Sequence, residues 1–300
     1  MRNPGFARVR QQQGIALLMV LWVIVLITVV ASSFLMSAGT EGMSARNMVD
    51  STRARHAAES GLHRAIFELR NPDPQTRWVG DGRPYQFQID DTVVEVMLWD
   101  ETGKIDIGQA DELTLQALFK SLALPEQQAI ALASAVQDWR DPDDLVHEPG
   151  GAEAPQYKAA DLDYGPRNRP FETLSELQQV LGMNYELYLK LEPAITINSY
   201  RPQPNPAFAP PEVLRLLPGF SEGAVEAFLL LRQQAGPNTP LLLPDGTPVI
   251  PQGGGLTYTI QSRATLASGA QASFEATIQM GAGGIAGRPF RVLRWRDTES

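Results

Sequence analysis

The chain contains no cysteine. That excludes disulfides, iron–sulfur clusters and thiol nucleophiles, and it leaves the redox compartment open. At 300 residues the core is large enough to hold without covalent staples. Histidine is nearly as scarce, with only His56, His63 and His147. His56 and His63 stand seven apart, where metal ligands on a helix stand three or four apart, and they read as solvated positions. There is no H-E-x-x-H and no P-loop pattern, so catalysis is not expected. Positive charge is in deficit, with 25 Lys and Arg against 34 Asp and Glu for a net charge of −9. A surface of that sign is a poor partner for nucleic acid.

Charge is missing altogether between Ile15 and Ala38. As a helix those 24 residues would measure about 36 Å, against about 30 Å for a bilayer core. The head before them carries Arg2, Arg8 and Arg10 and no acid, and the first charge after them is Glu41. Positive-inside logic keeps the head cytoplasmic and sends the body outward. The small residues Ala31, Ser32 and Ser33 offer a signal-peptide cleavage site, but the apolar run is too long for that class. From Ser44 to Leu69 helical spacing continues, with Ala58, Leu62, Ala65 (or Ile66) and Leu69 on one face. The Asn-Pro-Asp-Pro run at 71–74 stops it.

Beyond the helix, Tyr85–Ile89 and Val93–Leu98 alternate in strand fashion around an Asp-Asp-Thr turn. A second hairpin is expected across Ala267–Gly269, and Pro289–Trp295 reads as a last edge strand. Between these groups, roughly Ala110–Gly236, lie three weakly similar helix–turn–helix units with leucines at helical spacing. The third turn, Leu217-Pro218-Gly219, looks like a helix-hairpin-helix turn able to hold a phosphate. In that unit Glu212, Glu222 and Glu226 outnumber Arg215 and Arg232, which favours a helix-packing module. Five prolines in Arg201–Pro211 predict a stiff extended connector.

The first unit is followed by an acidic loop. From Asp138 to Asp163 there are eight acids against Arg140 and Lys158. Carboxylates so crowded are either solvated or bridged by a cation, and calcium, with 6–8 oxygen ligands and flexible geometry, is the natural bridge. The spacing of Asp141, Asp143 and Asp144 resembles part of a calcium loop without the glycine and glutamate of an EF-hand.

Taken together, the basic head ending in Gln-Gln-Gln-Gly, the apolar run and the unbroken helix resemble the N-terminus of type IV pilins and type II secretion pseudopilins. The stretches Asp100–Phe119, Ala135–Asp144 with Gly150–Glu153, and Asn168–Met183 further resemble the signature regions of K-type minor pseudopilins. The resemblance implies an α+β fold: a long N-terminal helix packed on an antiparallel sheet, with a large helical insert of SAM-like or helix-hairpin-helix-like units. It implies a leader at 1–14, an N-terminal helix at 15–70, pilin-like strands at 71–109, an insert with the acidic loop at 110–200, a helix-hairpin-helix-like unit at 201–236, and strands again at 237–300. A prepilin peptidase would cut between Gly14 and Ile15 and methylate the new N-terminus. The fifth mature residue, glutamate in most of the family, is Met19 here. A buried carboxylate in lipid needs a partner, and a subunit with no neighbour above it has no use for one, as at a pseudopilus tip.

Carried over by position, calcium ligands are expected at Asp141, Asp143 and Glu153, with Asp144, Glu148 and Asp161 in reserve. Asp138 and Trp139 read as structural. Implied partners are other minor pseudopilins, the major pseudopilin, the prepilin peptidase, the bacterial inner membrane (crossed once, with the body periplasmic) and secreted cargo. The alternative is a membrane-anchored DNA-uptake protein using the helix-hairpin-helix unit.

Overall fold

A computed structural model of the chain describes residues 13–237, 239–249, 254–281 and 289–298. Residues 1–12, most of the expected leader, lie outside the described residues. One helix, α1, runs Gln13–Leu69. Its stretch up to Arg53 forms a unit by itself and carries a window of mean hydropathy 2.9, long and apolar enough to cross a bilayer. Among the side chains exposed there are Leu17, Met19, Trp22 and Phe34.

The second unit begins at Ala54. Its sheet contains β1 (Asp81–Ile89), β2 (Thr92–Asp100), β7 (Thr257–Leu266), β8 (Gln271–Met280) and β9 (Phe290–Thr298), in that order and antiparallel throughout. Alternation places Val94, Val96, Leu98, Ile260, Ala264, Phe274, Ala276 and Ile278 on one face. The last turns of α1 cover that face with Ala57, Ala58, Leu62, Ala65 and Ile66. Leu69, expected on the same stripe, packs at the edge, half-buried. Contact is closest at Gly61, where an added Cβ would run into the Ser262 hydroxyl and meet a Val96 methyl at 2.9 Å. In an exposed helix Gly→Ala is worth about 1 kcal/mol of stabilisation. Here overpacking, which costs about 1–3 kcal/mol, should win. Gly61→Ala is expected to lower the urea-unfolding stability by about 1 kcal/mol.

The neighbours β2 and β7 are paired from Thr92↔Leu266 to Asp100↔Tyr258, although residues 101–256 lie between them in sequence. The insert therefore leaves and re-enters the sheet at one spot. Asp100, 1% exposed, ties the two ends. Its carboxylate accepts from Thr102 N at 2.9 Å, Thr102 Oγ1 at 2.6 Å and Gly255 N at 2.8 Å.

Within the insert, β3 (Ile105–Asp106) pairs in parallel with β4 (Ile195–Thr196). Between them lie α2 (Glu112–Lys120), α3 (Glu126–Arg140), α4 (Ala154–Ala159) and α5 (Tyr185–Leu191). A core of its own, including Phe119, Leu132, Trp139, Tyr157, Leu177 and Leu191, sits apart from the sheet's core. The second expected helical unit is only half α-helical. Leu174–Gln179 winds as a 3-10 turn, with Glu176 accepting from Thr173 N at 2.8 Å and pairing with Arg167 at 2.6 Å. Next come α6 (Pro211–Leu214) and α7 (Glu222–Gln234), then the short pair β5 (Leu241–Leu242) and β6 (Pro248–Val249).

The proline-rich connector is not the free spacer its composition suggests. Ala207 and Phe208 are buried against Val79, so it is a packed strap. Arg232 of α7, 5% exposed, donates to Ala209 O at 2.7 Å and Asp81 O at 2.9 Å, fastening the third unit to β1.

At the other sheet edge, β9 is longer than expected, reaching Thr298. Glu192, which follows α5, holds it through Arg294 at 2.5 Å and Arg296 at 3.0 Å. Burial alone would raise the Glu192 carboxyl pKa, but the bond to Arg294 and the charges of both arginines outweigh it and hold it low. A depressed folded pKa contributes stability above the unfolded value, about 4.3, that fades as pH falls through the folded value. Glu192→Gln is expected to cost stability at pH 6 and much less near pH 3, read from urea midpoints at both.

Candidate metal centre

The last turn of α3 delivers Asp138, fully buried, and Asp141 follows as the helix's C-cap. The chain then loops out and returns at Glu153, the N-cap of α4. Asp138 draws both limbs of that loop together. It accepts from His147 N at 3.1 Å, from Ala152 N at 2.6 Å, and pairs with His147 Nδ1 at 2.6 Å. Gly151 is required at the crossing, since a Cβ there would run into Asp138 Oδ2. The imidazole also lies 3.4 Å from Asp141 Oδ2. Asp138, Asp141 and His147 thus present ligand atoms within 4.8 Å of one another.

The electrostatics are those of an anion cluster. Glu153, 2% exposed, has its pKa pushed up to about 7 by burial and by the charges of Asp138, Asp141, Asp144 and Asp143. Asp141 is raised by burial and by Asp143 and Asp138, with only partial relief from His147 and Arg140. Asp141 Oδ1 and Glu153 Oε1 are buried and accept no hydrogen bond. A buried acceptor without a donor costs about 1–3 kcal/mol, more if charged. Hard carboxylate oxygens buried without donors suit a calcium-type cation, so the residues present fit the expected ion.

The expected ligands divide. Asp141 lies in the group with Asp138 and His147, and Glu153 is buried within reach of its charges, while Asp143 and Asp144 are exposed. Asp143 Oδ1 accepts from Leu145 N at 2.9 Å, and Asp144 Oδ1 takes an amide proton of Asn168 at 2.9 Å. Glu148 and Asp161 are exposed. Asp138 anchors the loop as a structural carboxylate and also lends its charge to the cluster. Trp139 is a core aromatic, its ring centroid 6.2 Å from those of Tyr157 and Phe171. His147 was not among the expected ligands. Asp138, one helical turn before Asp141, was the readable hint.

Elsewhere, Arg215 spends its guanidinium on Glu222, at 2.9–3.2 Å, beside the helix start where a phosphate would dock. Gly219–Gly223 does fit the esterase pattern G-x-S-x-G. Its serine, Ser221, instead caps α7 and follows a helix, not the strand that a nucleophile elbow needs.

Residues 97–200, which hold this cluster, match the family described as type II secretion system (T2SS), protein K. They are a protein K domain. The K-type resemblance of the sequence therefore holds, with the protein K domain spliced into a helix-and-sheet frame. Type II secretion system protein K of Klebsiella pneumoniae is 27% identical over 207 residues, covering 62% of each chain. That of Aeromonas hydrophila is 24% identical over 213 residues, covering 62% of this chain and 63% of the relative. The match thus spans less than two thirds of these relatives' length. The fold, protein K domain included, is also similar to a chain in the crystal structure of the GspK-GspI-GspJ complex from the enterotoxigenic Escherichia coli type 2 secretion system. That likeness has a TM-score of 0.53 at 21% identity and covers 87% of this chain and 99% of the other.

Proposed function

We propose that this chain is a minor pseudopilin at the tip of a type II secretion pseudopilus, where it starts assembly for the export of folded proteins. One observation carries the reading: a protein K domain is inserted between neighbouring strands of a pilin-like sheet covered by α1. Bulk of that kind on the head suits an end position better than repeated stacking along a thin shaft. Met19 agrees, because it offers no carboxylate to a subunit above. Processing between Gly14 and Ile15 would leave α1 as a membrane anchor with Arg2, Arg8 and Arg10 removed on the cytoplasmic side and the body in the periplasm. The partners are then two or more other minor pseudopilins, as the complex containing the similar fold suggests, together with the major pseudopilin and, at the exposed end, cargo.

Calcium would be held by Asp141 and Glu153, with Asp143 and Asp144 at the edge. It would neutralise the cluster and stiffen the loop that the protein K domain presents. Gold labelling of purified pseudopili tests the tip assignment: label at one end is expected, and label spread along the shaft overturns it.

A further inference from the structure

The sheet face turned away from α1 is polar. Along β7 and β8, Thr259, Gln261, Glu275 and Thr277 alternate with the core residues that α1 covers. A cleft of about 880 Å³ lies between this face and the insert. Ligand pockets span about 300–1,000 Å³, so it is a large one. Charged bonds brace it. Glu101 accepts from Thr259 Oγ1 at 2.8 Å and from Thr196 Oγ1, tying β7 to β4, and pairs with Lys104 at 2.8 Å. Glu192 ties the insert to Arg294 and Arg296 of β9. Closing the gap by apolar collapse would leave these charges buried and unpaired, which is costly.

Most charged groups lining the cleft are already committed. Lys104, Arg294 and Arg296 have carboxylate partners, and Glu172 pairs with Arg167. Arg291 and Glu212 differ. Both line the cleft, both are exposed, and neither has an ion-pair or hydrogen-bond partner among the described residues. The cleft thus offers one open charge of each sign. Tyr200 lines it too, 68% exposed and with a φ of 55°. A left-handed backbone strains a bulky residue, and such strain persists where the surroundings impose it, with a bias towards binding sites. Here buried Asp106 imposes it, accepting from Ser199 N at 3.0 Å and Tyr200 N at 2.8 Å. We infer that the cleft docks an extended peptide segment of a partner polypeptide, one that sets an acidic side chain on Arg291, a basic one on Glu212 and an apolar one on Tyr200. Open charges of both signs favour a peptide over a neutral saccharide or a simple anion. The hydroxyls and amide on the sheet face can bond to its backbone. The inference needs neither the calcium nor the tip assignment, so it stands or falls apart from them.

The test presents the full chain, in detergent, with an array of short blocked peptides that place Asp, Leu and Lys in every order and spacing on a Ser-Ala background. Selection of peptides carrying all three is expected, with Kd then read by fluorescence anisotropy. Arg291→Glu should weaken the best of them about tenfold or more. Arg291→Glu combined with Glu212→Arg should turn the preference round, towards the same peptide with Asp and Lys exchanged. Tyr200→Gly removes the ring and accepts the left-handed backbone without strain. It should bind about tenfold more weakly while its urea midpoint is no lower than that of wild type, a separation that a merely structural tyrosine would not show. No peptide held above the Ser-Ala background overturns the inference, and so does binding untouched by both Arg291→Glu and Tyr200→Gly. Binding of chitotetraose that Tyr200→Gly abolishes would assign the cleft to saccharides and overturn it as well.

Discussion

Calcium is expected to raise the thermal unfolding midpoint of the solubilised chain by roughly 5–10 °C at a hundredfold excess over its Kd, and the double variant Asp141→Ala, Glu153→Ala is expected to abolish that shift. The size follows from linkage. A ligand at about 100 times its Kd adds about 2.7 kcal/mol, and in a unit of this size each kcal/mol moves the midpoint by about 2–4 °C. The unit in question is Ala54–Ser300. Without the ion the sign reverses. Glu153 is buried among like charges, which is why its pKa stands at about 7. Its repulsion with Asp141 therefore opposes folding at neutral pH. In chelator the double variant should be at least as stable as wild type, and in calcium it should be less stable. A variant that is equally destabilised in both conditions would mean that these side chains only hold the loop's shape.

Blocking the cut at Gly14 is expected to be all-or-none. Gly14→Leu would put a branched side chain where a peptidase cutting after residue 14 would approach the backbone closely. The recovered protein should then retain Met1 and carry no methylated Ile15, and complementation of a secretion-defective strain should fall to background. Intact-mass spectrometry of the N-terminus reads the first outcome directly. A wild-type chain that starts near Ser33 instead would reassign the whole apolar run to a discarded signal.

Period-two and period-3.6 patterns made much of the frame legible. The hairpins fall where apolar residues alternate, and α1 ends at Leu69, just before the Asn-Pro-Asp-Pro run. What could not be read depends on contacts between distant residues. The strap at 201–211 has the composition of a spacer, yet Phe208 buries itself against Val79. Leu174–Gln179 has leucines at helical spacing, but Glu176 turns back to Thr173 and to Arg167, and the turn tightens. At the candidate metal centre the acids advertised themselves by crowding. Which of them are buried depended on how the loop folds back over Asp138. The G-x-S-x-G pattern shows the converse, a local match that its helical setting empties of meaning.

Asp100 binds the departing chain at Thr102 and the returning chain at Gly255, and this bears on the order of events during folding. Joining β2 to β7 across an unstructured stretch of such length would carry a loop-closure cost that grows with the logarithm of the length. Once the intervening domain has collapsed, its two ends emerge side by side and the gap to be bridged is no wider than a short turn. An insert (residues 101–256) that matures early would hand its host two pre-aligned strand ends, and lesions inside it are then expected to slow closure of the host sheet that they never touch.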